Sequence, residues 1–344
     1  MNAMKKNLRL ATFLLANVLL VSPIVDAQSL YEAAKKEGKV VIYGQGGVEW
    51  APIADAFSQR YPGVQVEAQD MRGREAREKV IVEHGAKQVI ADLVTSGEQT
   101  IASLRKGGFL EPYQSPELKY VYKEFIDPLG FRNTYRANVY GITTNTQVVP
   151  PTDEPKRWKD LLNPKFHGKI ACQDPRGSGG GFGILAVLSK LYGMEFVHQL
   201  AKQNIFFGAR NSQLITGLVR GEHGLIFSSN WTDGAFQRAR KRAAPVKFIK
   251  PEEGVRIVEI SFVVVKNAPH GNAAKLFVDW VLSEEAQKLI TQALDYTPVR
   301  KGVAAKSPEA DIQDTKILAD IDWTMHPELI PTTSKQWEEI FFKK

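Results

Sequence analysis

The sequence predicts an α/β protein of two domains, each a mostly parallel sheet flanked by helices. Strand-like apolar runs and helix-like segments alternate three times between residues 29 and 106, a rhythm that builds parallel strands with helices on both faces. Comparable units recur between residues 169 and 230. A leader of 27 residues leaves 317 of the 344, more than one core of ordinary size holds.

Residues 29–37 read as a helix with Leu30, Ala33 and Ala34 on one side, ended by Gly38. Residues 39–43 are a buried strand, and Gly44-Gln45-Gly46-Gly47 turns into a helix over 48–60. A second strand (64–68) leads through Met71, Arg72, Gly73 and Arg74 to a helix over 75–85. A third (91–94) ends in Thr95-Ser96-Gly97 before the helix 98–106. Ligands of such sheets sit beyond the carboxyl ends of the strands, which here carry Gln45, Gly46, Arg72 and Ser96. From Phe109 to Asn138 the pattern is poor, with Pro112, Pro116 and Pro128 breaking any long helix. Residues 140–146 then read as a β-branched strand. Residues 204–208 form a strand ending near Arg210 and Asn211, and 212–220 a helix. The strand 225–227 presents Ser228, Ser229, Asn230 and Trp231 at its end. A strand over 257–266 leads to one helix over 271–294, and the tail holds an amphipathic piece around Trp337, Ile340 and Phe341.

Lys5, Lys6 and Arg9 precede an apolar run from Leu10 to Val21, and Val25-Asp26-Ala27 offers a small residue before Gln28. This is the build of a secretory signal peptide cleaved after Ala27, so an exported, soluble protein is expected. The single cysteine, Cys172, excludes an internal disulfide and is expected to be a buried small hydrophobe. A formal charge of +7, about +5 once the leader is removed, suits an acidic ligand or an anionic membrane surface. The densest basic cluster, Arg238, Arg240, Lys241 and Arg242, has no aromatic interleaving and reads as a solvated helix face, so no nucleic-acid partner is expected.

One stretch stands out: Asp174-Pro175-Arg176-Gly177-Ser178-Gly179-Gly180-Gly181-Phe182-Gly183, after a strand over 169–172 and before a helix carrying Ile184, Leu188, Leu191 and Tyr192 on one face. Strand, glycine-rich turn and helix N-terminus together suit an anion, with Ser178 as hydroxyl donor and Arg176 as a forked donor. On the local pattern alone a tight connection explains the glycines equally well. Known alternatives lack their parts. Ser178 is not preceded by the glycine of a Gly-x-Ser-x-Gly elbow, and no lysine follows as in a phosphate-binding P-loop. The weak dinucleotide fingerprint at Gly181–Ala186 falls inside the helix, with no acidic residue after the next strand. The six histidines show no metal-ligand spacing, and no cofactor and no catalytic constellation are read.

The segment Ser29-Leu30-Tyr31-Glu32-Ala33-Ala34-Lys35-Lys36-Glu37-Gly38, running into Lys39-Val40-Val41-Ile42-Tyr43, resembles the mature start of bacterial periplasmic solute-binding proteins of ABC importers. Trp158-Lys159-Asp160-Leu161-Leu162-Asn163-Pro164, with Gly168-Lys169-Ile170 and Asp174-Pro175, is similar to the middle signature of their ferric-iron-binding-like cluster. Ser261-Phe262-Val263-Val264-Val265, Ala268-Pro269, residues 273–280 and Ser283-Glu284-Glu285-Ala286-Gln287 resemble its closing one.

The resemblance implies a two-lobed clamshell of the type II binding-protein fold that closes on ligand. Its lobes would be 28–138 with 259–300, and 139–258 with 301–344, with hinge crossings near 140–145 and 258–262. It implies an anion held by Ser178, Gly179, Gly180 and Gly181, with Arg72, Arg176 or Arg210 as charge partners. The expected partners are a small organic anion and an inner-membrane ABC permease, for a monomeric, non-catalytic receptor. Iron-binding relatives place adjacent tyrosines where this chain has Phe227-Ser228-Ser229-Asn230-Trp231, and a histidine in the turn that here reads Tyr43-Gly44-Gln45-Gly46-Gly47. Serine, asparagine and tryptophan do not supply the anionic oxygens a ferric ion needs. The alternatives kept are an iron receptor with an atypical ligand set and an exported enzyme. Trp231 either stacks on the ligand or packs at the lobe interface.

Overall fold

A computed structural model describes residues 27–44, 47–176, 179–320, 323, 326 and 328–343. The expected leader up to Asp26, and the site candidates Gln45, Gly46 and Ser178, lie outside the described residues. The first part runs α1 (Ala27–Glu37), β1 (Lys39–Gly44), α2 (Gly47–Arg60), β2 (Gln65–Asp70), α3 (Gly73–Gly85), β3 (Leu93–Gly97), α4 (Glu98–Lys106), β4 (Leu110–Glu111) and β5 (Asn133–Asn145). The middle part is β6 (Ile170–Gln173), α5 (Gly180–Tyr192), α6 (Met194–Ala201), β7 (Phe206–Gly208), α7 (Asn211–Val219), β8 (Leu225–Asn230), α8 (Gly234–Lys241) and β9 (Val246–Ile249). The chain returns through β10 (Arg256–Val265), α9 (Gly271–Leu282), α10 (Glu284–Leu294), β11 (Thr297–Pro298) and α11 (Leu329–Phe341).

The strands join in the order β2-β1-β3-β10-β5-β8-β6-β7, with β4 on β10 and both β9 and β11 on β5. β1 pairs in parallel with β2 and β3, and β6 in parallel with β7 and β8. These two parallel sets are the hearts of two lobes. β10 and β5 connect them antiparallel to their neighbours: the first half of β5 pairs with β10 and β11, its second half with β8 and β9. Register shifts at Ile260/Ser261 and Gly141/Thr143 mark where the crossing strands bend, as an extra residue in one strand raises its local twist. The architecture is α/β and two-lobed, a clamshell.

Apolar runs buried on both faces explain the strands. Val41 and Tyr43 of β1 pack with Val80, Val94, Ile101 and Val263, while Val40 and Ile42 face Phe57, Leu93, Phe262 and Phe277. In the second lobe Phe182, Leu185 and Leu188 of α5 pack with Leu225 and Phe227, and the tail adds Leu318, Trp323 and Trp337. The tail is tied there by Leu318 N–H donating to Val255 O at 2.8 Å.

Four expectations change. β5 begins at Asn133, before the expected 140, because its polar residues are satisfied internally and so hide a buried strand: the Asn133 amide bonds Ser115 N–H and Tyr113 O, and Thr134 bonds Glu259 and Ser261. The helix expected over 271–294 is two helices, broken at Ser283, whose hydroxyl accepts from Ala286 N–H as a cap. β8 continues through Asn230, so Ser228 to Asn230 are strand residues. α5 starts at Gly180, so Gly180, Gly181 and Gly183 belong to the helix instead of the turn.

Candidate functional site

Helices α3, α4, α5 and α7 each start just beyond the carboxyl end of a strand, β2, β3, β6 and β7. Their N-cap residues are Arg72, Gly97, Gly179 and Arg210, and none makes a side-chain cap bond. Ser, Thr, Asp or Asn is the usual choice at this position, because a side-chain oxygen satisfies amides that have no intrahelical acceptor. The same chain does cap elsewhere: Asp233 accepts from Ala235 and Phe236 N–H, both at 3.0 Å, to open α8. Four helix N-termini therefore bring partial positive charge to one region, those of α3, α4 and α7 without a capping side chain.

Glycine geometry seats α5 there. Gly179 has φ +120°, a conformation glycine alone adopts without strain. A Cβ on Gly181 would stand 1.9 Å from Gln173 O, so the first turn of α5 lies directly on the end of β6. Gly180 N–H donates to Gln173 Oε1 at 2.8 Å.

Three adjoining cavities open between the lobes. The middle one, about 770 Å³, is lined by Arg72 and Ser96 from one lobe and by Gln173, Gly179, Gly180 and Asn211 from the other. It shares Arg72, Gln173 and Asn211 with a cavity of about 440 Å³ that adds Arg210, Arg238 and Asp233. At the opposite end it shares Gly73, Ser96, Gly97, Tyr140 and Gly179 with a recess of about 240 Å³ that adds Arg256, Val258 and Trp323. The guanidinium groups of Arg72 and Arg210, one per lobe, have no acceptor among the described residues.

Of the residues expected from the sequence, Arg72, Ser96, Gly179, Gly180 and Arg210 line these cavities. Others are placed elsewhere. Arg176 holds Asp174 through Nε and Nη2 at 3.0 and 2.6 Å and lies 4.0 Å over the Phe342 ring, which keeps the Asp174 carboxyl below its ordinary pKa. Gly181 is a packing glycine. Ser228 is fully buried, its Oγ accepting from Gln173 N–H at 2.7 Å. The Asn230 amide oxygen accepts from Thr232 Oγ1 at 3.0 Å. Trp231 is 1% exposed among Phe236 and Phe248, with Arg240 stacked 4.1 Å over it. Polar residues read as a strand end thus sit inside a central strand, where their bonds serve the fold. Cys172 is buried and burial pushes its thiol pKa up, as suits an inert packing residue.

Sequence reasoning missed Gln173, Asn211, Tyr140, Arg256 and Trp323. Gln173 and Asn211 adjoin residues singled out from the pattern, but nothing local marks Arg256 or a tryptophan of the tail. Among the described residues no three His, Cys, Asp or Glu side chains gather as a metal cage.

Residues 89–325 match the family model of the bacterial extracellular solute-binding proteins. A Haemophilus influenzae protein of uncharacterized function is 26% identical over 320 residues, covering 89% of this chain and 88% of its own. The fold is similar to that of the periplasmic binding protein AfuA from Actinobacillus pleuropneumoniae with fructose-6-phosphate bound (TM-score 0.73, 22% identity, covering 88% of this chain and 98% of that one). It is similar also to iron-bound HitA from Pseudomonas aeruginosa (TM-score 0.68, 21% identity, covering 88% and 98%). The chain belongs to the bacterial extracellular solute-binding family, the solute-binding components of ABC transporters.

Proposed function

We propose that the protein captures a small organic anion, a phosphorylated sugar, phosphonate, sulfonate or carboxylate, in the interlobe cleft and delivers it to an inner-membrane ABC permease without chemical change. The observation that carries this is the convergence of four helix N-termini, three of them without a capping side chain, with the two unpaired guanidinium groups of Arg72 and Arg210. Amides and guanidinium forks both favour anionic oxygens, and a cleft that leaves them unsatisfied favours a ligand that supplies those oxygens. AfuA, which binds an organic phosphate, lends the reading support. HitA binds iron on the same fold, and the cleft holds the carboxylates of Asp70, Glu75, Glu98 and Asp233, but among the described residues no three His, Cys, Asp or Glu side chains gather as a cage, which favours the anion as cargo over a ferric ion. Lobe boundaries at 138/139 and 258/259 accord with the shared strands β5 and β10, and export after cleavage at Ala27 accords with the family.

Native mass spectrometry of the purified mature protein identifies a carried ligand, and a thermal-shift screen of phosphorylated, phosphonated, sulfonated and carboxylated metabolites finds its class. Arg72→Ala and Arg210→Ala should each weaken binding by about 1.5–3 kcal/mol, the worth of a hydrogen bond to a charged group. A melting shift with ferric iron and with none of the anions would overturn the proposal.

A further inference from the structure

The cleft is polarised along its length. At the 440 Å³ end Arg72 and Arg210 are unpaired, and the Asp233 carboxylate is occupied by the first amides of α8. At the 240 Å³ end every charge has a counter-charge. Arg256 Nε donates to Asp320 at 2.6 Å, Arg74 Nε to Glu78 at 2.8 Å, and Glu98 lies 3.8 Å from Arg132. The neutralised end nonetheless holds unused donors. The Arg256 side chain is only 9% exposed, its guanidinium lies 5.1 Å from the Tyr140 ring centre, and its Nη groups have no acceptor among the described residues. Trp323 is 2% exposed, packs 4.8 Å from the Phe182 ring, and its indole N–H has no partner among the described residues. The buried indole N–H is left without an acceptor among the described residues at a cost of about 1–3 kcal/mol, while the Arg256 Nη groups are open to an acceptor in the recess.

Resting on the anion reading above, we propose that the ligand lies lengthwise in the cleft, its charged head between Arg72 and Arg210 and an uncharged, acceptor-rich body of hydroxyl, carbonyl or ether oxygens against Arg256, Trp323 and Tyr140. These three side chains then determine specificity, and the tail that supplies Trp323 and Asp320 is part of the binding site. A bare oxyanion fills the head end and leaves the recess to water. An anion with a second full charge meets no unpaired cation in the recess.

Calorimetric titration of the mature full-length protein with two matched pairs tests this: inorganic phosphate against fructose 6-phosphate, and acetate against gluconate. In at least one pair the long member should bind about tenfold or more tighter than the short one. Arg256→Lys, which keeps a cation for Asp320, and Trp323→Phe, which keeps the packing on Phe182, should each weaken the long member about fivefold or more and leave the short member within about twofold. Arg72→Ala should weaken both members. Equal affinity within both pairs, or variants that weaken both members alike or neither, would overturn the lengthwise assignment and leave the anion reading standing. Absence of binding by all four probes would overturn both.

Discussion

Gly181→Ala offers the most direct test of how the site is built. The added Cβ would meet Gln173 O at 1.9 Å, roughly 1.4 Å inside the closest ordinary C···O approach of about 3.3 Å. The obstructing atom is backbone, fixed in β6 by its pairing with β7 and β8, so α5 must lift away from the sheet. Overpacking a tight interior costs about 1–3 kcal/mol even when flexible side chains give way. A rigid carbonyl puts this substitution at the upper end, about 3 kcal/mol, or a melting temperature lowered by roughly 6 °C or more at about 2–4 °C per kcal/mol. The same lift withdraws the α5 N-terminus from the cleft, so affinity for the bound anion should fall about tenfold as well. Gly85→Ala is the control, because its Cβ would meet nothing within 4 Å and it closes α3 at the end away from the cleft. Differential scanning calorimetry and titration calorimetry read both effects. A Gly181→Ala protein that melts with the wild type would refute the contact between α5 and β6, and with it the placing of this helix terminus.

Trp231→Ala should cost about 3–5 kcal/mol by emptying the space among Phe236, Phe248 and Arg240, while leaving anion affinity within about threefold; a selective loss of binding would show the indole to be a ligand contact. Arg176→Ala should leave affinity unchanged within the same limit, since its guanidinium is engaged by Asp174 and Phe342. Burial pushes the Asp279 carboxyl from its ordinary 3.8 up to about 6, so its contribution is fully present below pH 4 and is lost as pH rises through 6. Asp279→Asn should therefore gain on the wild type by up to roughly 3 kcal/mol between pH 4 and 7.5, followed as the difference in melting temperature. A pH-independent difference would contradict the buried, protonated state.

Alternation of apolar strands with amphipathic helices was enough to establish an α/β fold. Val40 to Tyr43 of β1 and Leu93 and Val94 of β3 are apolar on consecutive residues, as suits strands covered on both faces. The basic cluster of α8 was legible as an exposed face opposite the buried Phe236, but its local spacing does not announce that Arg238 lines the cleft or that Arg240 stacks on Trp231. Which polar residues serve ligand and which serve the fold could not be read locally. Ser228, Asn230 and Trp231 look like a ligand-facing strand end, yet β8 lies between β5 and β6, and burial turns their bonds inward. Arg256 and Trp323 stand 67 residues apart in the chain with no motif joining them. Only the tail's crossing beside Val255 puts both in one recess. Local sequence determined the elements, because periodicity and turn chemistry act over a few residues. The site was decided by tertiary structure, because a cleft is made where strand ends from separate lobes meet, and that meeting depends on how two long strands bend.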